Sequence, residues 1–409
     1  MTNQATINFI REHREDDVRQ LALSGGRNPD VDLSYALDQI QGWQTARKKL
    51  PLWAAHEDVV YPPHLNMEQC SSEQTASYKQ QIVRRLLGDA LASAVLVDLT
   101  GGFGVDFFYL SDGFSRSIYV ERDAELCEVV RHNLNVLGRQ QAEVWCRDSE
   151  TVLDSLSVEK DRGASTVVFL DPARRGSHGQ RVFGLQDCEP DVTVLRQRLL
   201  DISDVLLLKL SPMLDWHEAL HQLCPGGRGC EVHIVSVGNE CKELVLVITG
   251  RDTPLRVFCA NDNEQFVFMP QESVAPTIQK FAGLSPHAVG KWLMVPNASV
   301  MKAGCFDELS AHFDVLPIAP NSHLFLSRNH IPDFPGRIFR ITAVSSFNKK
   351  ALKATLADID RANIATRNFP LSVAELRRRL KLKDGGSHYL FATADANNDK
   401  WLVITQKRN

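Results

Sequence analysis

The run Val95-Leu96-Val97-Asp98-Leu99-Thr100-Gly101-Gly102-Phe103-Gly104-Val105-Asp106 leads an apolar strand into a glycine-rich turn and then a helix. Glycines in such a turn open dihedrals closed to other residues and let a ligand lie against bare backbone. Amides at a helix start favour a polar or anionic ligand group. Twenty residues past Gly101, the apolar strand Ser117 to Val120 ends in Glu121, where a carboxylate can grip ribose hydroxyls. Strand, turn, helix, strand and acid together make a nucleoside-cofactor site. A second sharp feature is Asp171-Pro172-Ala173-Arg174-Arg175-Gly176, at the end of the apolar strand Thr166 to Leu170. Proline stiffens such a loop, and an acid there can orient or deprotonate a target atom.

The dinucleotide fingerprint G-x-G-x-x-G is incomplete, because Gly102-Phe103-Gly104 is followed by Val105-Asp106-Phe107. Asp98 at the strand end would repel a pyrophosphate but could help hold a methionine ammonium. The pattern resembles the first motif of class I S-adenosylmethionine (SAM) methyltransferases. That resemblance implies SAM as cofactor, bound by Asp98, Thr100, Gly101, Gly102, Gly104, Asp106, Glu121 and Asp148. By position, Glu121 is expected on the ribose, Asp148 near the adenine, and Asp171 toward the methyl donor and the incoming substrate.

The Asp171 loop resembles the fourth motif of nucleic-acid methyltransferases, in which Asp or Asn precedes Pro-Pro and then Tyr, Phe, Arg or Cys. Ala173 and Arg174 depart from it toward the Arg-bearing variant of uracil-carbon methyltransferases. Those enzymes also need a cysteine at the end of strand five, and Lys209-Leu210-Ser211-Pro212 has none. Transfer to a nitrogen or an oxygen by positioning and proton removal is therefore expected, with Asp171, Pro172 and Arg174 as the catalytic set.

These residues must be positioned by an alternation of strands and helices from Val95 to about Gly250, the pattern of a doubly wound sheet. The last two strands, Glu231 to Val237 and Leu244 to Thr249, are separated only by a turn at Gly238-Asn239-Glu240. So short a link permits an antiparallel hairpin and forbids a parallel crossover. The expected fold is α/β, a Rossmann-like class I methyltransferase sheet with an antiparallel last strand. A helical N-terminal region precedes it and small α+β domains follow. In the N-terminal region Gly25-Gly26 closes a first helical segment, Leu33 to Leu50 forms a helix stopped by Pro51, and Ser72 caps a helix from Glu73 to about Leu87. Beyond residue 275 the expectations are a helix from Ser299 to about His312, a strand from Arg337 to Val344 and a helix from Lys349 to Ile364. A capped helix then opens at Ser372-Val373-Ala374-Glu375, with Val373, Leu376 and Leu380 facing the core, before two strands around Tyr389–Ala392 and Trp401–Thr405.

The 409 residues carry a net charge of −4, unevenly spread: residues 328–409 hold +9 and the rest −13. A basic segment of domain size on an acidic protein is the footprint of a polyanion-binding surface. Arg377, Arg378, Arg379, Lys381 and Lys383 stand out there, and Arg175 in the Asp171 loop adds to the expected RNA contacts. Nine scattered cysteines with no C-x-x-C pair fit free thiols and no metal site. The start Met1-Thr2-Asn3-Gln4 lacks a basic-then-apolar pattern, and no uncharged apolar run approaches the roughly 20 residues needed to cross a bilayer. A cytoplasmic location is expected.

Five segments resemble one bacterial family, the THUMP-like-domain-containing class I SAM-dependent methyltransferases. They are Gln69–Ala76, Asp171–Arg175, Asn239–Glu243, Pro296–Gly304 and Arg367–Ser372. The resemblance implies a helical region over 1–90, a SAM-binding domain over 91–255, a small ferredoxin-like segment over 275–330 and a basic THUMP-like domain over 335–409. With the basic domain capturing phosphates and presenting a base to the Asp171 loop, the expected function is methylation of a nitrogen or oxygen of an RNA base, in tRNA or rRNA. A methyltransferase of a small molecule or protein, and a catalytically silent RNA-binding protein, are the alternatives left open by the residues.

Overall fold

Apolar strands alternating with amphipathic helices can bury both faces of a sheet only by crossing over it, so the sequence from Val95 onward builds a mostly parallel sheet. In the computed structural model, residues 3–24, 28–160, 164–174, 184–270 and 281–407 are described. The chain divides into two units, residues 1–231 with 242–254, and residues 232–241 with 255–409.

The first unit contains strands β1 (Val95–Asp98), β2 (Arg116–Glu121), β3 (Glu143–Cys146), β4 (Thr166–Leu170), β5 (Val205–Leu210) and β6 (Glu240–Thr249, of which residues from Lys242 belong here). Their spatial order is β3-β2-β1-β4-β5-β6. The first five are parallel, and β6 runs antiparallel to β5 with Leu244 opposite Leu210. This topology has a direct consequence for chemistry. The carboxyl ends of β1, β2, β4 and β5 share one edge with the beginning of β6, and ligands of open α/β sheets bind at that edge. Leu96, Phe107, Tyr119, Val167, Phe169, Leu207 and Val245 fill the core.

The N-terminal helices pack on this sheet domain. Trp53 is fully buried, its ring 5.0 Å from Phe103 and 5.6 Å from Phe108. Asn133 accepts from Val60 N–H at 2.9 Å and donates to Val60 C=O at 2.7 Å, so the Arg131-His132-Asn133 stretch ties down the N-terminal segment. Pro51 does end the preceding helix, at Lys49, but it also opens the next turn of helix, Pro51–Ala54. Its missing N–H costs nothing at a helix start. Helix Glu73–Leu87 begins at Ser72, whose side chain accepts from Thr75 N–H. The buried face is Thr75, Ala76, Lys79, Ile82, Val83 and Leu86, a regular apolar stripe with one lysine in its centre.

In the second unit, Arg256–Asn261 pairs antiparallel with Glu264–Phe268. A separate sheet places Trp292–Pro296 between Phe325–Ser327 and Gly336–Ser346, then adds Lys400–Lys407, His388–Ala394 and finally Asn363–Arg367. The last of these corrects the expected helix from Lys349 to Ile364, which ends at Thr355. Ile364, Ala365 and Thr366 instead pair parallel with residues 390–392. Two further corrections follow from local geometry. The expected helix from Ser299 to His312 is two helices, Ala298–Ala303 and Phe306–Phe313, broken at Gly304 with φ +71°. In the capped helix Val373–Leu380, Leu376 is buried while Val373 is exposed. Cys224 and Cys230 are disulfide-bonded, against the expectation of free thiols. Among the described residues, no helix is long and apolar enough to cross a membrane. Gly25, Gly26, Arg175 and residues 275–280 lie outside the described residues.

Candidate active site

A cavity of about 740 Å³ opens at the carboxyl edge of the first unit's sheet. The glycine turn forms one wall. Gly101 lies so close to the Tyr119 ring that a Cβ would sit 2.0 Å from it. Gly102 (φ +53°) and Gly104 (φ +80°) occupy the left-handed region that glycine adopts at little cost. The Tyr119 hydroxyl donates to Gly102 C=O at 2.5 Å and locks the turn from below.

Glu121 is fixed by the backbone. Its Oε2 accepts from Gly102 N–H at 3.0 Å, and its Oε1 accepts from Arg122 N–H at 2.8 Å and Asp123 N–H at 3.0 Å. The carboxylate is thereby held rigidly at the cavity, with Oε2, which accepts only one of these bonds, left open to a hydroxyl donor. Asp148 also lines the cavity and accepts from Glu150 N–H at 2.9 Å, at the start of helix Ser149–Lys160.

Asp98 is completely buried. Its Oδ1 accepts from Thr100 N–H at 3.0 Å, while Oδ2 has no hydrogen-bond partner among the described residues. Burial pushes its carboxyl well above the usual carboxylate range; the Thr100 amide opposes this, and Asp106, Asp171 and Glu121 reinforce it. Thr100 works in two directions, since its Oγ1 accepts from Asp171 N–H at 2.6 Å and so ties the β1 turn to the loop after β4. Pro172, in that loop, is buried and lines the cavity. Arg174 lies on a two-residue strand, Ala173–Arg174, paired antiparallel with Cys188–Glu189.

The structure also assembles a group that the sequence pattern does not reveal. Lys79 is fully buried, with Nζ 2.6 Å from Glu243 Oε1, 3.1 Å from Asp106 Oδ1 and 3.3 Å from Ser71 Oγ. Lys209 Nζ lies 3.7 Å from Asp106 Oδ2 and 2.5 Å from Asp171 Oδ2. The result is a continuous row, Asp171–Lys209–Asp106–Lys79–Glu243. Burial raises Glu243 above its ordinary range, with Lys79 and Lys209 opposing the rise. Burial acts on Asp106 in the same sense, but Lys79, Lys209 and the Ser71 hydroxyl outweigh it and hold the carboxyl low. Asp106, expected at the cofactor, thus spends its carboxylate on this row while still lining the cavity. Lysines in apolar settings were the available signals: Lys79 in the stripe of its helix, and Lys209 in the strand Val-Leu-Leu-Leu-Lys-Leu. Among the described residues, no group of three metal-binding side chains converges.

The basic residues of the second unit are not equivalent. Arg377 donates to Ala362 C=O at 3.0 Å and to Asp384 at 2.5 Å, which fixes its own domain. Arg378, Lys381 and Lys383 are exposed, and Arg379 lies over the Phe347 ring at 4.8 Å.

Residues 336–407 match a THUMP domain-like family and residues 292–335 a ferredoxin-like domain. No curated protein matches the chain. A crystal structure of a protein from Porphyromonas gingivalis W83, assigned as a methyltransferase, is 30% identical and covers 99% of this chain and 98% of its own, with a TM-score of 0.83. A SAM-dependent methyltransferase from Agrobacterium tumefaciens is 18% identical over 44% of this chain and 63% of its own, with a TM-score of 0.32. An rRNA methylase from Streptococcus thermophilus is 12% identical over 42% of this chain and 95% of its own, with a TM-score of 0.29. Only the first of these likenesses is extensive enough to carry weight. With near-complete mutual coverage at 30% identity and the two C-terminal domain matches, the chain belongs to the THUMP-like-domain-containing class I SAM-dependent methyltransferases.

Proposed function

We propose that the chain binds SAM in the cavity at the carboxyl edge of its first unit and methylates an RNA of the tRNA or rRNA class in the cytoplasm. The residues fit the cofactor. A left-handed Gly102 leaves the turn open, since a Cβ there would meet only Thr100 C=O at 3.8 Å. Asp98, expected at the methionine ammonium, is instead fully buried and is not among the residues that line the cavity, so it supports the turn through the Thr100 amide. The cavity of about 740 Å³ is within the usual range for a ligand of this size. Thr100, Gly101, Gly102 and Gly104 would cradle the methionine portion, Glu121 would take the ribose hydroxyls, and Asp148 would face the adenine. Bound SAM supplies an electrophilic methyl group on a sulfonium. The chain supplies the positioning: Asp171 holds the acceptor atom, and Pro172 and the Thr100 hydrogen bond keep Asp171 still.

The observation that carries the reading is Glu121 clamped by three backbone amides beside the glycine turn, with Asp171 lining the same cavity. The basic, THUMP domain-like segment supports RNA as the partner, with Arg175, Arg378, Arg379, Lys381 and Lys383 offered to phosphates and Arg377 bracing the domain that presents them. On this reading residues 1–90 cap the cofactor domain 91–255, while 275–330 and 335–409 serve the substrate. Calorimetric titration of the full chain with SAM, and separately with NAD, tests the cofactor. Micromolar SAM binding without NAD binding is expected, and binding of neither would leave an RNA-binding protein. Asp171→Ala is expected to abolish turnover while leaving SAM affinity nearly unchanged.

A further inference from the structure

The row of buried charges behind the cavity bears on which atom accepts the methyl group, a question that rests on the RNA reading above. Lys209 Nζ reaches the cavity wall as the penultimate residue of β5, beside Asp171 just past the end of β4. It lies 2.5 Å from Asp171 Oδ2, and its side chain is 12% exposed. Lys79 is sealed behind it at 0% exposure, tied to Asp106 and Glu243. Lys79 is therefore a positioning residue: it balances the two inner carboxylates and leaves Lys209 facing Asp171 and the cavity. Burial works against the charge on Lys209, but Asp171, Asp106 and Glu243 outweigh it and keep the group an ammonium.

A nitrogen acceptor gains positive charge as it is methylated, and a fixed ammonium alongside opposes that charge. A hydroxyl has the opposite requirement. Its oxygen accepts an N–H from Lys209 while its O–H donates to Asp171, and the negative character that develops on oxygen faces a cation. We infer that the acceptor is a hydroxyl held jointly by the paired Lys209 and Asp171, which in an RNA is the ribose 2′-hydroxyl carried by every nucleotide. In the transfer, a lone pair of that oxygen forms the new C–O bond as the donor's C–S bond breaks and its electron pair stays on sulfur. The hydroxyl proton passes to the Asp171 carboxylate. Sulfonium, hydroxyl and carboxylate thereby become thioether, methyl ether and carboxylic acid, and the charges balance.

The test uses the full chain, SAM with a radiolabelled methyl group, and total RNA from cells lacking the protein. The expected product is label in 2′-O-methylnucleosides after enzymatic digestion, and in alkali-resistant dinucleotides, because a methylated 2′-oxygen cannot attack its phosphate. Label on a base nitrogen or carbon would overturn the hydroxyl assignment and leave the RNA reading standing. Label absent from RNA would remove the RNA reading and the ribose with it. Lys209→Met is expected to lower turnover by about 10²–10³-fold with SAM affinity nearly unchanged, and Lys209→Arg to recover part of the loss. A readout independent of turnover is lysine ¹⁵N NMR, with the Lys209 signal assigned by its absence in Lys209→Arg. An ammonium signal that persists to about pH 11, above the ordinary lysine value of about 10.4, supports the inference, and a neutral amine at pH 7 refutes it.

Discussion

Replacing Lys79 by methionine removes the cation from the centre of the buried row while keeping the length of the side chain. Its ammonium is the nearest cation to both Glu243 and Asp106, at 2.6 and 3.1 Å, and all three groups are buried. Taking one partner from such a cluster leaves uncompensated charge in the interior, and the expected loss is about 3–5 kcal/mol at pH 7. The sign of the pH dependence follows from Glu243. Burial already raises its carboxyl, and without Lys79 the shift grows, so its stabilising protonated form is present at low pH and lost as pH rises through the folded-state value. The penalty of Lys79→Met should therefore shrink by up to about 1.4 kcal/mol for each pH unit below 7 in that window. Adding Glu243→Gln should restore most of the loss, because the orphaned charge goes with it. Scanning calorimetry of the full chain, following the transition of the first unit at pH 5, 6 and 7, measures all three quantities. A loss below about 1 kcal/mol at pH 7 would refute the reasoning, because an exposed or water-bridged lysine costs that little.

Four more outcomes can be checked. Glu121→Ala should weaken SAM binding by about 1.5–3 kcal/mol, the value of hydrogen bonds to a charged group, and unchanged affinity by titration calorimetry would remove the ribose role. Asp98 has a folded-state value above its unfolded one, so its contribution to stability is present at low pH and lost as pH rises toward the folded value. Relative to Asp98→Asn, the wild type should then lose up to about 1.4 kcal/mol per pH unit above pH 4 until that value is reached, and parallel stability curves would contradict the assignment. Neutralising Arg378, Arg379 and Lys381 to Gln should flatten the salt dependence of RNA affinity by about 0.7–0.9 in log–log slope for each phosphate no longer neutralised, with folding intact. Arg377→Gln should instead lower the stability of its own domain, since it releases Ala362 C=O and Asp384.

The parts of the molecule legible in the sequence are those whose chemistry is local. The glycine turn and Glu121 are joined by a single hydrogen bond across 19 positions, and their spacing in the chain already implies that meeting. The antiparallel β6 followed from the short turn before it. The helix expected over Lys349–Ile364 failed for the opposite reason. Leu352, Leu356 and Ile359 keep helical spacing, but Ile364 is claimed by His388–Ala394, a partner strand that no local pattern announces. Likewise Gly304 looks like any helix interruption until its positive φ divides the helix expected from Ser299 to His312.

The buried row was illegible because its members are scattered over more than half of the first unit. Lys79 and Glu243 lie 164 positions apart, and Lys209 and Asp171 38 apart. What brings them together is strand order. Parallel strands deliver Asp171 and Lys209 to one edge because their carboxyl ends lie there. An antiparallel β6 delivers Glu243 to the same edge because it is the start of that strand, and a parallel strand in its place would carry Glu243 to the far side. The reversed strand that first suggested a fold class is thus also the reason a third carboxylate stands behind the cavity. A lysine in an otherwise apolar stripe is tolerable only where such a carboxylate waits for it. Lys79 in its helix and Glu243 in its strand are therefore each explained by the other, and neither by its own neighbours in sequence.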